Sequence, residues 1–173
     1  DSSKGITNCV KYALEAARWE IPETDRLLEF IGPPLTEGFM TISKMSEKEA
    51  EAATTKFRER YNVTGLFENE PYDGIEKMLK TLNGYILAVA TSKPEETAKR
   101  IIEHFGLKKY FKEITGSTFD AVRNTKQSVI EETLKRLGIT DAEKESVLMV
   151  GDRKHDVVGA HNCGIDVLGV YYG

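Results

Sequence analysis

Val147-Leu148-Met149-Val150-Gly151-Asp152-Arg153-Lys154-His155-Asp156 is the stretch whose reading decides the fold. A short apolar run with β character ends at a glycine. Two carboxylates follow, four residues apart, and the second opens a helix expected over Lys154 to Cys163. In an open α/β sheet, ligands bind outside the carboxyl ends of the strands. Asp152 and Asp156 would then face a crevice, where paired acids are costly unless a cation holds them. Hard carboxylate oxygens suit Mg²⁺ better than zinc. The alternative is plain helix chemistry: Asp152 as an N-cap and Asp156 as a first-turn acid, each favourable at a helix N-terminus.

Working outward, the pattern from Pro71 onward alternates strand and helix. Helices are expected over Asp73–Leu82, Pro94–Phe105 and Thr125–Leu137. Apolar strands are expected over Tyr85–Ala90, Phe111–Thr115, Val147–Val150 and Val167–Val170. Such alternation with near-continuous apolar strands predicts a Rossmann-like, doubly wound parallel sheet covered on both faces. Before Pro71 no strand is convincing. Ile6, Val10, Ala13, Leu14 and Ala17 follow helical spacing. A short helix is expected from Thr24 or Asp25 to Phe30, and Gly32-Pro33-Pro34 breaks it. Another turn or helix opens at Pro34 or Leu35. Ser46 and Glu49 form a capping box for a helix through Ala50, Ala53, Phe57 and Tyr61. The expectation is a helical cap domain at 1–70 and an α/β core at 71–173.

Composition excludes several classes. Of 173 residues, 40% are hydrophobic and 30% charged, and the formal net charge is −4. No basic block is present to neutralise nucleic-acid phosphates. No apolar stretch approaches the ~20 residues of a membrane span. Cys9 and Cys163 form no disulfide framework and fit a reducing, cytoplasmic setting. His155, His161 and Cys163 invite a zinc reading, but their spacing puts them on different faces of one helix.

Two further segments carry chemistry. Thr91-Ser92-Lys93-Pro94 follows a strand and is expected to open a helix, where a hydroxyl and free N–H groups bind anions. An ordinary N-cap is the competing reading. Lys126 stands at the start of the next helix, where a cation opposes the helix dipole. It is either a tolerated surface lysine or a group aimed into the crevice. At an effective dielectric near 20, one charge contact at ~4 Å is worth roughly 4 kcal/mol before desolvation, more than the dipole opposes.

The ordered set, strand-Thr-Ser, then Lys, then strand-Gly-Asp-x-x-x-Asp, resembles the haloacid dehalogenase superfamily of phosphatases. The likeness is greatest to the phosphoglycolate-phosphatase-like branch, which includes proteins called 5′-nucleotidases. Ala88–Pro94 looks like that family's second motif, Lys126 the third and Gly151–Asp156 the fourth. Gly32-Pro33-Pro34-Leu35 and Tyr72-Asp73-Gly74-Ile75 also sit where relatives carry similar segments. The resemblance implies a C1-type cap and a Mg²⁺-dependent phosphomonoesterase acting on a small phosphorylated metabolite, as a monomer or homodimer. It implies attack by one aspartate to form an aspartyl-phosphate, with a second aspartate as acid and base. Asp152 and Asp156 would form the metal site, Asp152 as a direct ligand and Asp156 orienting a metal water or Lys126. Thr91 and Lys126 would stabilise the transferring group, with Ser92, Lys93 and Arg153 as further substrate contacts. The family's first motif reads Asp-x-Asp-Gly-Thr-x-x-Asp-Ser, and Asp1-Ser2 matches its last two residues. The nucleophile is expected seven residues before Asp1 and the acid/base five before it, on a first core strand missing from 1–173. The core is expected to be incomplete at both ends, and residues 1–173 alone are not expected to hydrolyse. A sugar-phosphate mutase of the same superfamily and a non-catalytic phosphate binder are the alternatives. A receiver-type module would place its acids before the Thr and Lys, opposite to the order here.

Overall fold

The computed structural model describes residues 1–118 and 122–171, so the end of the expected core, at 172–173, lies outside the described residues. The chain divides into two compact units, Asp1–Tyr72 and Asp73–Gly173.

The first unit is helical. Helices α1 (Ser3–Ala16), α2 (Thr24–Leu28), α3 (Leu35–Thr41) and α4 (Glu47–Tyr61) are followed by a 3-10 turn at Gly65–Phe67. The apolar stripe of α1 is the reason it packs: Cys9, Val10, Ala13 and Leu14 are fully buried. They join Leu27, Phe30, Phe39, Ala50, Ala53 and Phe57 in one core. Ser46 and Glu49 form the capping box that starts α4. Gly38 is needed because a Cβ there would press on the Phe30 ring. Arg60 grips Glu68 with two parallel bonds, at 2.7 and 2.8 Å. The two ends of the unit lie side by side, with Glu70 N–H donating to the Asp1 carbonyl at 2.8 Å.

The second unit is α/β. Its elements are α5 (Ile75–Thr81), β1 (Ala88–Pro94), α6 (Glu95–His104), β2 (Glu113–Ser117), α7 (Lys126–Leu137), β3 (Leu148–Gly151), α8 (Lys154–Asn162) and β4 (Asp166–Gly169). All pairing among the described residues is parallel: β1 with β2 and β3 with β4. Helix α7 joins the two pairs. Its Ile130 and Leu134 pack with Ala160, Cys163 and Ile165, against Ala90 from β1 and Met149 from β3.

Three features of the sheet bear on the site. First, the described strands form two separate two-stranded sheets, a break in keeping with a first core strand expected to be missing from 1–173. One face of β3–β4 is covered by the core, while Leu148, Val150 and Leu168 on the strands are more than half exposed. The expected covering of both faces is therefore not complete among the described residues. Second, β1 begins at Ala88 rather than Tyr85. The ladder with β2 starts at Ala88 opposite Glu113, so among the described residues Tyr85 and Ile86 pair with no strand, and each is 73% exposed. Third, β1 runs on to Pro94, which is the N-cap of α6 rather than its first residue. Between Ala90 opposite Thr115 and Pro94 opposite Ser117 the register shifts. Thr91, Ser92 and Lys93 occupy that bulge, not a helix N-terminus. Bulges re-aim side chains and recur beside functional sites. The other element ends differ from expectation by one or two residues, as helix and strand termini commonly do.

Candidate active site

The site forms where β1 ends, α7 begins and β3 passes into α8. Thr125 caps α7: its side chain accepts from Ser128 N–H at 3.1 Å. That cap sets Lys126 as the first helical residue. The Lys126 side chain does not extend into water. Its ammonium donates to the Ala90 carbonyl at 3.0 Å and meets Asp156 Oδ1 at 2.9 Å. Side-chain exposure is 12% for Lys126 and 8% for Asp156. Two charges this far from water are tolerable only because each meets the other and further polar partners. Lys126 has three N–H donors. Two are used within the described residues, which leaves one for a ligand.

Asp156 is held from its other side as well. Its Oδ2 accepts from the Arg153 backbone N–H at 3.1 Å, the acid arm of a capping box that opens α8. Its expected place in the first turn is thus observed. Two glycines clear space for this arrangement. A Cβ on Gly151 would lie 2.5–2.7 Å from Asp156 side-chain atoms, and one on Gly159 would lie 2.8 Å from Lys126 Cγ. The chain must therefore be glycine where β3 passes the carboxylate and where α8 passes the lysine. Sequence reasoning missed Gly159. Its signal was a buried helical glycine three residues after an acid, on the same face of α8 as Asp156, Ala160 and Cys163.

Asp152 follows the last residue of β3 and is exposed. Its Oδ2 accepts from Arg153 Nε at 3.2 Å, and Arg153 is itself largely exposed. Among the described residues no group of three or more His, Cys, Asp or Glu side chains is assembled for a metal. Mg²⁺ does not require one, because it keeps several waters and takes one or two carboxylates plus substrate oxygens. Asp152 fits that role, since its hard oxygens are exposed and only one meets a cation. Asp156 has both oxygens engaged, one by Lys126 and one by the Arg153 N–H. Cys163 is a packing group: burial pushes its thiol up, and Sγ points at the Gln127 carbonyl.

Thr91 sits one residue beyond the carbonyl that Lys126 grips. Its Oγ1 accepts from the Lys93 N–H at 3.2 Å, so its own hydroxyl proton remains for another acceptor. Ser92 is exposed, and its carbonyl accepts from the Ser117 hydroxyl at 3.0 Å. The structure thus brings Lys126, Asp156 and the Ala90–Thr91 turn together. It joins Asp152 to Arg153. Among the described residues, no hydrogen bond links the hydroxyl of Thr91 or Ser92 to Lys126 or Asp152.

Three segments far apart in sequence, meeting at the ends of parallel strands, define an α/β enzyme core with a lysine-carboxylate centre. A family model for haloacid dehalogenase-like hydrolases matches residues 1–170. A 5′-nucleotidase of Pseudomonas aeruginosa is 42% identical over the whole chain, which spans 78% of that protein. A protein of Mycobacterium tuberculosis called tyrosine-protein kinase PtkA is 39% identical, and the chain spans 58% of it. The crystal structure of a phosphatase candidate from Clostridium difficile superposes with a TM-score of 0.93 at 41% identity, covering all of this chain and 80% of that one. The chain belongs to the haloacid dehalogenase-like hydrolase family. Its class within that family is phosphoric monoester hydrolase.

Proposed function

We propose that the protein is a Mg²⁺-dependent phosphatase of a small soluble phosphomonoester, phosphoglycolate- or nucleotide-like, acting in the cytoplasm. The observation that carries the reading is the Lys126–Asp156 pair, buried and fixed against β1 with one ammonium proton left over. The Asp156 carboxylate and the Ala90 carbonyl hold the ammonium in one place. The ammonium then stands ready to meet a phosphoryl oxygen without reorganising, which is where an electrostatic catalyst gains most. Thr91 supplies a hydroxyl donor to the same oxygens. Ser92, Lys93 and Arg153 stand at the same strand ends as further substrate contacts.

Asp152 is assigned to the metal, which supplies Lewis-acid neutralisation of phosphate charge when bound. Asp156 acts through Lys126, holding it in place. The attacking aspartate, and the acid that protonates the leaving oxygen, are assigned to sequence preceding Asp1, seven and five residues away. The name of the Pseudomonas relative supports a nucleoside monophosphate as one substrate. The kinase name of the mycobacterial relative shares the phosphoryl chemistry, not the acceptor.

Asp152→Ala, in a chain that carries the family's first motif, tests the metal assignment. The variant is expected to fold, because the side chain is exposed, and to lose Mg²⁺-dependent turnover by about 10²-fold or more. A Mg²⁺ titration of p-nitrophenyl phosphate hydrolysis reads the effect. Near-native turnover with an unshifted Mg²⁺ midpoint would remove Asp152 from the metal site.

A further inference from the structure

A second cluster lies behind the site and is used by none of the chemistry above. Glu95 is the first residue of α6, directly after the bulge that carries Thr91 and Ser92. Its Oε2 accepts from Arg123 Nη2 at 2.6 Å and from the Gly116 N–H at 3.3 Å. Its Oε1 accepts from Lys99 at 2.7 Å and Arg136 at 3.0 Å. Arg123 in turn donates through Nε to the Gly116 carbonyl at 2.6 Å. The side chains of Glu95 and Arg123 are only 13% and 15% exposed. Gly116 is required at the centre, because a Cβ there would lie about 2.5 Å from the Glu95 backbone and the Lys93 carbonyl.

The placement of this cluster is informative. Arg123 precedes Lys126 by three residues and is tied to the strand before it: the Thr118 N–H donates to the Arg123 carbonyl, and the Arg123 N–H donates to Thr118 Oγ1, each at 3.0 Å. Ser117, next to Gly116, holds the Ser92 carbonyl. One fork therefore spans the three segments that present Ser92, Gly116 and Lys126. A stabilising ion pair has no need to bridge a bulge to the loop entering the lysine's helix. The planar guanidinium meets a carboxylate and a carbonyl at once, a geometry lysine cannot reproduce.

We propose that Arg123 and Glu95 are positioning residues that hold the Thr91–Ser92 bulge and Lys126 in one register for phosphate. This rests on the reading of Lys126 and Thr91 as the phosphate-binding groups. Neither residue touches phosphate. They act by fixing where the hydroxyl and the ammonium stand relative to each other, and a misplacement near 1 Å costs up to about 10²-fold.

The test uses inorganic phosphate with Mg²⁺, binding measured by calorimetry, beside thermal unfolding of each variant. Arg123→Met and Glu95→Gln are each expected to weaken phosphate about tenfold, and together by no more than either alone. Arg123→Lys is expected to weaken it as much as Arg123→Met, because the charge survives without the fork. A merely stabilising pair would lower the melting temperature and leave phosphate affinity within about twofold of native, and that result overturns the proposal. If Arg123→Met does not fold, Glu95→Gln carries the same criterion, since it keeps the side-chain shape. Lys126→Met separates the two failures. Weakened binding in Lys126→Met beside native binding in Glu95→Gln refutes the positioning role alone. Native binding in Lys126→Met refutes the reading of the site, and the positioning role falls with it.

Discussion

Gly159→Ala sets helix propensity against the geometry of the site. In an exposed helix the change from glycine to alanine adds about 1 kcal/mol of stability. Here the position is buried, and the new methyl would stand 2.8 Å from Lys126 Cγ and 3.1 Å from both Lys126 Cβ and the Gln127 nitrogen. Real carbon contacts do not approach so closely, and two of the three atoms belong to the backbone or the root of the side chain. Neither can swing away cheaply. Overpacking of this kind costs about 1–3 kcal/mol, so the net change is a loss of about 0–2 kcal/mol. The larger effect falls on chemistry. Relief requires α7 to move off α8 or Lys126 to leave Asp156, and a shift of about 1 Å at the ammonium lowers kcat by about 10²-fold. Urea denaturation gives the first quantity, and p-nitrophenyl phosphate turnover by a chain that carries the family's first motif gives the second. A variant more stable by about 1 kcal/mol, with kcat within about twofold of native, would refute the claim that Gly159 makes room for the lysine.

Other consequences follow from the same geometry. Lys126→Met leaves the Asp156 carboxylate buried without its counter-charge, which costs about 3–5 kcal/mol. The double variant Lys126→Met with Asp156→Asn recovers most of that loss, as measured by urea denaturation of the single and double variants. Stability also carries an acid signature from Glu95. Burial raises its pKa, but hydrogen bonds from Lys99, Arg136 and the Gly116 N–H outweigh it and bring it down to about 2. A carboxylate depressed in the folded state stabilises above its unfolded pKa and loses that contribution as pH falls through its folded value. Stability is therefore expected to fall from about pH 4.5 towards pH 2 by at most about 3 kcal/mol from this group, and Glu95→Gln is expected to flatten that limb. An unchanged acid limb in Glu95→Gln would assign the loss elsewhere.

Much of this was legible in the sequence because the strongest signals are local. The strand-glycine-aspartate run around Gly151 and Asp152 forms as read, and so does the placing of Lys126 at the start of its helix. The parallel pairing followed from apolar strands separated by helices. The bulge at Thr91–Lys93 was not legible, because it depends on where β2 offers partners, and nothing near Thr91 reports that. The same holds for Tyr85 and Ile86, apolar residues that read as strand but have no ladder to join. The Arg123–Glu95 fork was invisible for a different reason. It joins residues 28 apart through the carbonyl and N–H of Gly116, and backbone partners leave no trace in side-chain pattern. Gly116 and Gly159 signalled only that something passes close by, and only the fold says what.

The most direct test of the central claim is release of p-nitrophenol from p-nitrophenyl phosphate by a chain that carries the family's first motif, native and Lys126→Met, with Mg²⁺ and again with excess EDTA. The account predicts turnover that depends on Mg²⁺, is abolished by chelation and falls by about 10²-fold or more without the lysine. Turnover that persists in EDTA, or that Lys126→Met retains at the native rate, would contradict it.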